Sequence, residues 1–249
     1  MKNKVLMLCA AIAWGIVSSF AETCTVDGVT YSYQVIDGEA QITDVPSSTS
    51  GDLLVPARLS GIPVTSVGSH AFSDCKAITS IVFSEGLRSI GSGAFVRSSN
   101  LKSVVLPDGV ENIGADAFEY CSGLSYIVMP DTVTTIEGGA FASCKGLSAL
   151  KLPSELTCIE RDLFIYCSGL KTIQFPSGLQ EIGDGAFAAC KGLTSVTLPE
   201  TVEKVEDDVF LWDSGLSEVT KLKISNFELT SDHRVFSEFI NTVKPAFRS

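Results

Sequence analysis

A phenylalanine recurs at a fixed interval of 23 residues through most of this chain. The seven members of the series are Phe72, Phe95, Phe118, Phe141, Phe164, Phe187 and Phe210. Prolines that follow the same period are Pro107, Pro130, Pro153, Pro176 and Pro199. A period of this length is typical of identical supersecondary units that stack because each is too small to close a core alone. The sequence therefore predicts an elongated repeat array, and it argues against a globular domain built around a pocket.

One copy of the repeat, residues 187–209, indicates how the chain runs within a single coil. Val196 and Leu198 alternate with polar residues, as in a short strand with one buried face. The strand is expected to stop at Pro199, because proline lacks the N–H that a sheet ladder needs. A second apolar leg then brings the chain back across the core. The glycine-rich stretch 183–187 predicts a single 3₁₀ or helical turn that carries the phenylalanine inward.

The repeat pattern L-x-x-I-x-L-P-x-x-L-x-x-I-x-x-x-A-F-x-x-C resembles that of the BspA-like leucine-rich-repeat family of bacterial surface proteins. It is clearest in residues 101–121, and the match extends from Leu53 to about Val219. The slot after the strand, which holds asparagine or cysteine in commoner leucine-rich repeats, holds glycine, threonine or glutamate here. The resemblance implies a leucine-rich-repeat solenoid, which we take to be right-handed and β-rich with short strands. It also implies an exported or surface-attached protein with a role in adhesion and in binding host or matrix proteins.

The two ends of the chain differ from the repeats and complete a division into four segments. Residues 1–21 combine two lysines, a short apolar run and Ser-Phe-Ala, which predicts a cleaved signal peptide; an uncleaved anchor is the alternative. Residues 22–52 contain two Asp-Gly turn signals and predict an N-terminal β-hairpin cap. Residues 53–222 form the predicted solenoid. Residues 223–249 predict a helical C-terminal cap, for which an amphipathic helix that binds a partner or a membrane is the alternative.

The chain is acidic, with 18 basic residues, 29 acidic residues and a net charge of −11. Removal of the predicted signal peptide deletes Lys2 and Lys4 but no acid, which leaves 16 basic residues and a net charge of −13. A nucleic acid needs a basic face, and strong negative charge also repels anionic membrane surfaces. We therefore expect a secreted or cell-surface protein with no nucleic-acid partner and no membrane insertion after signal cleavage.

Cysteine follows the phenylalanine by three residues in five of the coils. These residues are Cys75, Cys121, Cys144, Cys167 and Cys190. Neighbouring coils of a stacked sheet lie about 4.8 Å apart, whereas the Cβ atoms of a disulfide are about 3.8 Å apart. Since free cysteine also packs as a small apolar residue, the spacing predicts buried free thiols.

The sequence contains little that points to catalysis or to metal binding. The two histidines are His70 and His233, so no zinc site or histidine-based triad is predicted. His70 lies five residues before Cys75, but that cysteine occupies a slot expected to be buried, which argues against a nucleophile and base pair. The acidic residues of 200–213 match no calcium-binding loop. We predict no cofactor, no metal and no enzymatic activity.

The residues on either side of the buried position of each strand are expected to face outward on the sheet. This candidate binding face comprises Val82, Ser103, Val105, Tyr126, Val128, Lys151, Thr172, Gln174, Ser195 and Thr197. Its apolar end is typical of a binding surface. The alternative is that β-branched residues there only stabilise an exposed sheet by cross-strand pairing.

The leading hypothesis for function is an interaction module that binds an extracellular protein or glycan through this face. One alternative is a structural or self-assembling envelope component, in which the array is a spacer and the caps make the contacts. Another is a small inhibitor or accessory subunit of an exported hydrolase, which leaves no trace in a sequence.

Overall fold

The protein is seen in a computed structural model that describes residues 21–221. This part of the chain is a leucine-rich-repeat β-solenoid of about 7 turns. Its strands are β1 (Glu22–Val26), β2 (Val29–Ile36), β3 (Glu39–Asp44), β4 (Ser50–Val55), β5 (Arg58–Leu59), β6 (Ile62–Val67), β7 (Ala77–Phe83), β8 (Ser89–Ile90), β9 (Ser103–Val105), β10 (Asn112–Ile113), β11 (Tyr126–Val128), β12 (Thr135–Ile136), β13 (Ala149–Lys151), β14 (Cys158–Ile159), β15 (Thr172–Gln174), β16 (Glu181–Ile182), β17 (Ser195–Leu198), β18 (Lys204–Val205) and β19 (Glu218–Lys221).

The repeats contribute two rows of parallel strands. We call the row made by β4, β7, β9, β11, β13, β15, β17 and β19 the strand face; the other row consists of the two-residue strands that follow β6. Residues one repeat apart lie opposite each other, as Val104 does with Ile127 on the strand face. Ile113 and Ile136 do the same in the other row. The 23-residue period of the sequence is therefore the register of the stack.

The N-terminal strands form an antiparallel meander in the order β1-β2-β3, and β3 joins the solenoid by pairing in parallel with β6. Both of its turns use Asp-Gly, and all four residues have positive φ, 49° and 82° at Asp27 and Gly28 and 52° and 82° at Asp37 and Gly38. Such turns match the twist of two antiparallel strands. The predicted hairpins are present. The segment boundary at residue 52 stays a prediction.

The phenylalanines form a continuous stack through the core. Adjacent rings lie nearly parallel, with centroids 4.9 Å apart for Phe72 and Phe95 and 5.7 Å apart for Phe187 and Phe210. The ring of Phe141 in the middle of the stack is fully buried. Each phenylalanine therefore contacts the coils before and after its own, so neighbouring repeats share one core.

The predicted single 3₁₀ or helical turn at each phenylalanine is present only as separate hydrogen-bonded turns, such as the one closed from the N–H of Val96 to the carbonyl oxygen of Gly93, and residues 21–221 contain no helix. Around Phe95 the chain makes separate turns, and a helix cannot propagate because Gly93 and Arg97 both have φ of 61°. The backbone instead bonds to the next coil. The N–H of Phe95 donates to the carbonyl oxygen of Ala117 at 2.7 Å, and equivalent bonds recur along the array.

Two sequence predictions fall on residues 1–20 and 222–249, which lie outside the described range. They are the signal peptide and the helical C-terminal cap. The right-handed course of the solenoid also stays a prediction.

Candidate functional site

The strand face presents one buried and two outward-facing side chains from each short strand. In β11, Ile127 is buried while Tyr126 is 58% exposed. The predicted binding-face residues all occupy such outward positions and are half-buried or exposed, namely Val82, Ser103, Val105, Tyr126, Val128, Lys151, Thr172, Gln174, Ser195 and Thr197. The structure thus places them on one face, while their role in binding remains a prediction.

An unbroken row of aliphatic side chains crosses the first four strands of this face. We call it the apolar row: Leu54, Val82, Val105 and Val128. Leu54 lies opposite Val82, Val82 opposite Val105, and Val105 opposite Val128. Strands in a sheet lie about 4.8 Å apart, so neighbouring members of the row are close enough to make one continuous apolar surface.

Leu54 belongs to the apolar row but not to the binding face predicted from the sequence. Its side chain is 61% exposed, whereas Leu53 and Val55 on either side are buried. The signal was present, because Leu53-Leu54-Val55-Pro56 resembles a degenerate first repeat. Alignment of Val55 with Phe83 would have placed Leu54 beside Val82, as the register shows.

The N-terminal edge of the strand face is polar and fixed by hydrogen bonds. The hydroxyls of Thr79 and Ser80 both donate to Oδ1 of Asp52, at 2.7 and 2.6 Å. These bonds, led by the one from Ser80, lower the pKa of Asp52 below its ordinary value, so a carboxylate lies beside the apolar row.

The far end of the strand face has a different chemistry. Lys151 lies opposite Gln174, and Ala149 lies opposite Thr172. Nζ of Lys151 is 3.7 Å from Oδ1 of Asp131, but both side chains are more than half exposed, so this ion pair contributes little to stability. The face therefore changes from aliphatic to polar along the solenoid.

The cysteines of the repeat are bonded into the backbone of the preceding coil. The thiol of Cys121 donates to the carbonyl oxygen of Phe95 at 3.1 Å, and Cys167 donates to Phe141 at the same distance. Burial raises the pKa of Cys121 and that of Cys167 to about 12. Both thiols therefore stay protonated at neutral pH and are poor nucleophiles. The described cysteines are all free, as the coil spacing predicted.

The environment of Cys75 is that of a buried structural thiol. Cys75 is fully buried, and its thiol points to the carbonyl oxygen of Val45 at 3.8 Å. Desolvation raises the pKa of this thiol to about 11. Within residues 21–221, no group of three or more histidines, cysteines or carboxylates is arranged to hold a metal ion.

The ladder of phenylalanine and cysteine, in parallel register at a 23-residue period, is a pattern that other proteins share. A family model described as a BspA type leucine rich repeat region matches residues 60–171 and 91–217, with six copies. The chain belongs to this family. Its members have in general protein-interaction or surface roles and are not enzymes. No curated protein matches the chain.

Two solved structures of bacterial proteins are similar to this one. A leucine rich cell surface protein from Faecalibacterium prausnitzii A2-165 is 28% identical with a TM-score of 0.72, over 86% of this chain and 58% of that protein. The T. pallidum leucine rich repeat protein is 29% identical with a TM-score of 0.70, over 75% of this chain and 87% of that one. The chain thus spans little more than half of the first of these two proteins. Among residues 21–221, no helix is long and apolar enough to cross a membrane.

Proposed function

We propose that this BspA-type repeat protein is an exported interaction module that binds an extracellular protein through the apolar row and the neighbouring Tyr126. The observation that carries the proposal is the alignment of four aliphatic side chains, on four adjacent strands, at positions that face solvent. The core does not use these side chains, because the buried positions alternate with them along each strand.

Cross-strand pairing explains part of this row, but not all of it. Val82, Val105 and Val128 are β-branched and stabilise a sheet wherever they pair. Leu54 is not β-branched, and Leu54 and Tyr126 are 61% and 58% exposed. Large apolar side chains that extend from a regular sheet into solvent are typical of a contact surface, and tyrosine is enriched among the residues that dominate binding energy.

The backbone beneath the row favours binding as well. Its four strands form one continuous sheet in the order β4, β7, β9, β11, in which β7 and β9 pair on both sides, so the side chains extend from a fixed frame. A partner that docks on a preformed surface loses less conformational entropy than one that must order a loop. This is the usual advantage of a solenoid as an interaction surface.

Export and surface placement belong to the same proposal. They are supported by the predicted signal peptide and by the Faecalibacterium prausnitzii relative, which is described as a cell surface protein. A surface module without catalytic groups would act by adhesion, that is, by holding a partner.

The test compares two triple variants with the parent protein. In the first, Val105→Glu, Tyr126→Glu and Val128→Glu place charge on the apolar row and beside it. In the matched control, Thr157→Glu, Ser177→Glu and Gln180→Glu add the same charge at exposed positions off the strand face. Each protein is immobilised and exposed to a panel of purified extracellular matrix proteins, glycans and envelope fractions, after circular dichroism has shown that it is folded.

We expect the first variant to lose a protein ligand that the parent and the control both retain. Outward substitutions usually change stability by less than about 0.5 kcal/mol, although three carboxylates on two adjacent strands cost somewhat more. If the folded variant captures every ligand of the parent, the strand face is not the binding surface, and the structural envelope role becomes the better explanation.

A further inference from the structure

A second surface of the solenoid follows each phenylalanine turn, at the second and fourth residues after the phenylalanine. We call it the corner face. Its second positions are Asp74, Arg97, Tyr120, Ser143, Tyr166, Ala189 and Trp212, and its fourth positions are Lys76, Ser99, Ser122, Lys145, Ser168, Lys191 and Ser214. Every second-position residue has a φ between 54° and 62°, although none is glycine. The same left-handed backbone conformation therefore recurs in every coil, while the residue that adopts it varies.

From the third coil onward, the corner face alternates between aromatic and basic residues. Tyr120, Tyr166 and Trp212 come from every second coil and are 52%, 46% and 60% exposed. In the two coils between them the second position is small and buried, while the fourth position is an exposed lysine, Lys145 or Lys191. The sequence of side chains along the array is thus aromatic, lysine, aromatic, lysine, aromatic.

The corner region is basic although the protein is acidic. The second to seventh residues after the ladder phenylalanines hold six of the chain's 18 basic residues but only two of its 29 acidic residues. The basic residues are Lys76, Arg97, Lys102, Lys145, Lys171 and Lys191. The strong acidity of the chain therefore arises from the rest of each coil, and basic groups outnumber acidic ones where an anion approaches the corner.

These basic groups differ in how far they are neutralised. The carboxylate of Asp74 pairs with Arg97 at 2.8 Å and with Lys76 at 3.3 Å. The positive charges of the first two coils are therefore paired within the protein. Lys145 and Lys191 form no ion pair with any of residues 21–217, the range in which side chains are described. Their charge is free to pair with a ligand.

A cleft of 390 Å³ opens on this surface beside Tyr120. Lys76, Arg97 and Lys145 line it together with serine residues of the second, third and fourth coils. Its volume lies within the range of small-ligand sites, and its lining combines an aromatic ring, positive charge and hydroxyl groups.

We propose that the corner face binds an extended acidic polysaccharide in which every second sugar carries a carboxylate. The aromatic side chains recur every two coils, or roughly 10 Å at the spacing of parallel strands. Successive rings of an extended β-linked polysaccharide are separated by about the rise of one coil, so alternate sugars fall on alternate coils. One sugar of each pair stacks its C–H face on an aromatic ring, and the next places its carboxylate against the intervening lysine.

The alternation selects this ligand over related ones. A neutral polysaccharide would stack on the aromatic rings but leave Lys145 and Lys191 without a partner. A heavily sulfated chain would bring several charges for each lysine, and the surplus would be repelled by the acidic remainder of the protein. The serines at the fourth position of the aromatic coils, such as Ser122 and Ser168, are both exposed and supply hydroxyl groups for hydrogen bonds to the sugars.

The first test uses the full chain and hyaluronan oligosaccharides of increasing length, measured by isothermal titration calorimetry. Hyaluronan alternates a carboxylate sugar with a neutral one, and carboxyl-reduced hyaluronan is the matched neutral probe. We expect affinity to rise with length until the oligosaccharide spans the four coil steps from Tyr120 to Trp212, and then to level off. The carboxyl-reduced probe should bind at least about tenfold more weakly than hyaluronan.

Two double variants test the two kinds of group. Tyr120→Ser with Tyr166→Ser removes stacking, and both changes are compatible with the fold because Ser143 occupies the same position and backbone conformation. Lys145→Gln with Lys191→Gln removes the charges. The control, Arg88→Gln with Arg161→Gln, removes two exposed charges that lie on neither proposed binding surface. Each corner variant should lose about tenfold or more in hyaluronan affinity, and the control should lose little.

Several results would overturn the proposal. Equal binding of hyaluronan and its carboxyl-reduced form by the parent protein would do so without any variant. Undiminished binding of hyaluronan by the lysine variant would also overturn it. Equal losses in the lysine variant and the control would do the same, because they would mean that only net charge matters. The triple variant of the strand face should bind hyaluronan normally, so failure of the protein-binding proposal leaves this one standing, and the reverse also holds.

Discussion

The thiol of Cys144 donates a hydrogen bond to the backbone carbonyl oxygen of Phe118 in the preceding coil, over 3.1 Å. The same bond links cysteine and phenylalanine at three other places in the array. Ser98 occupies the equivalent slot in an earlier coil, and its hydroxyl donates to the carbonyl oxygen of Phe72 at 2.8 Å. In these five coils the slot therefore uses a small side chain with a proton to donate, a role that serine fills as well as cysteine.

The first prediction concerns thiol reactivity. Cys121, Cys144 and Cys167 should resist alkylation in the native protein, because they are buried and desolvation raises the pKa of each thiol. Cys24 is only half-buried and should react first. Mass spectrometry after brief labelling, with and without denaturant, measures this order. A disulfide between Cys121 and Cys144 in the exported protein would contradict the buried ladder.

The second prediction concerns the phenylalanine stack. Phe141→Ala should lower the free energy of unfolding by about 3–5 kcal/mol, because it leaves a cavity between two coils that share one core. Tyr166→Ala is the control, since that ring is 46% exposed and lies outside the stack. Chemical denaturation compares the two. Equal losses would mean that the stack is not the main core; Phe247, another control suggested by sequence, lies outside the described residues.

The third prediction concerns the close approach of neighbouring coils. A Cβ atom added at Gly192 would lie 2.6 Å from the carbonyl oxygen of Leu170, which is backbone and cannot easily move. We therefore expect Gly192→Ala to destabilise the protein by about 1–3 kcal/mol. Gly178→Ala is the matched control, because nothing lies within 4 Å of a Cβ there, and its effect should be within about 0.5 kcal/mol. Similar losses at both positions in denaturant titrations would argue against this packing.

The fourth prediction concerns Asp213, which occupies the cysteine slot of the last described repeat. Its carboxyl oxygens are buried without a hydrogen-bond partner, and burial raises its pKa to about 7. The backbone of Cys190 offsets only part of this effect. The folded state therefore binds a proton more tightly than the unfolded state does, so this contribution to stability is present at acidic pH and is lost as the pH rises through 7.

Asp213→Asn should accordingly raise the melting temperature at about pH 8, with a smaller effect or none at about pH 4. Glu200→Gln is the control, because that side chain is exposed in the same part of the solenoid. Thermal melts across this pH range distinguish the two variants. If the melting temperatures of Asp213→Asn and the parent differ by the same amount at every pH, the pKa of this carboxyl is not raised in the folded protein.

Much of the fold was predictable because residues one 23-residue period apart in the sequence are in contact in the structure. Since the period of the chain equals the period of the stack, Phe118 had to lie between Phe95 and Phe141, as it does. The same argument placed the binding-face residues in outward positions and identified the free thiols. No knowledge of long-range contacts was needed, since each contact repeats one 23-residue step.

The errors arose where a residue's conformation depends on the neighbouring coil. The glycine-rich turn before Phe95 favoured a helical turn by composition, yet the N–H groups of Gly93 and Phe95 bond to the next coil, so the local turns do not continue into a helix. Leu54 was missed because its strand belongs to a degenerate first repeat that does not keep the 23-residue period, although alignment of Val55 with Phe83 gives the register that the structure shows.

The sequence by itself determined the architecture, the buried ladder and the membership of a repeat family, because each depends on periodicity. Only the tertiary structure decided how far each surface side chain is exposed and revealed the corner face. A net charge sums over the whole chain, whereas coiling separates the basic corner of each repeat from its acidic remainder. In the same way, Tyr120, Lys145 and Tyr166 are far apart in the sequence, and only stacking at the spacing of parallel strands brings them into one surface.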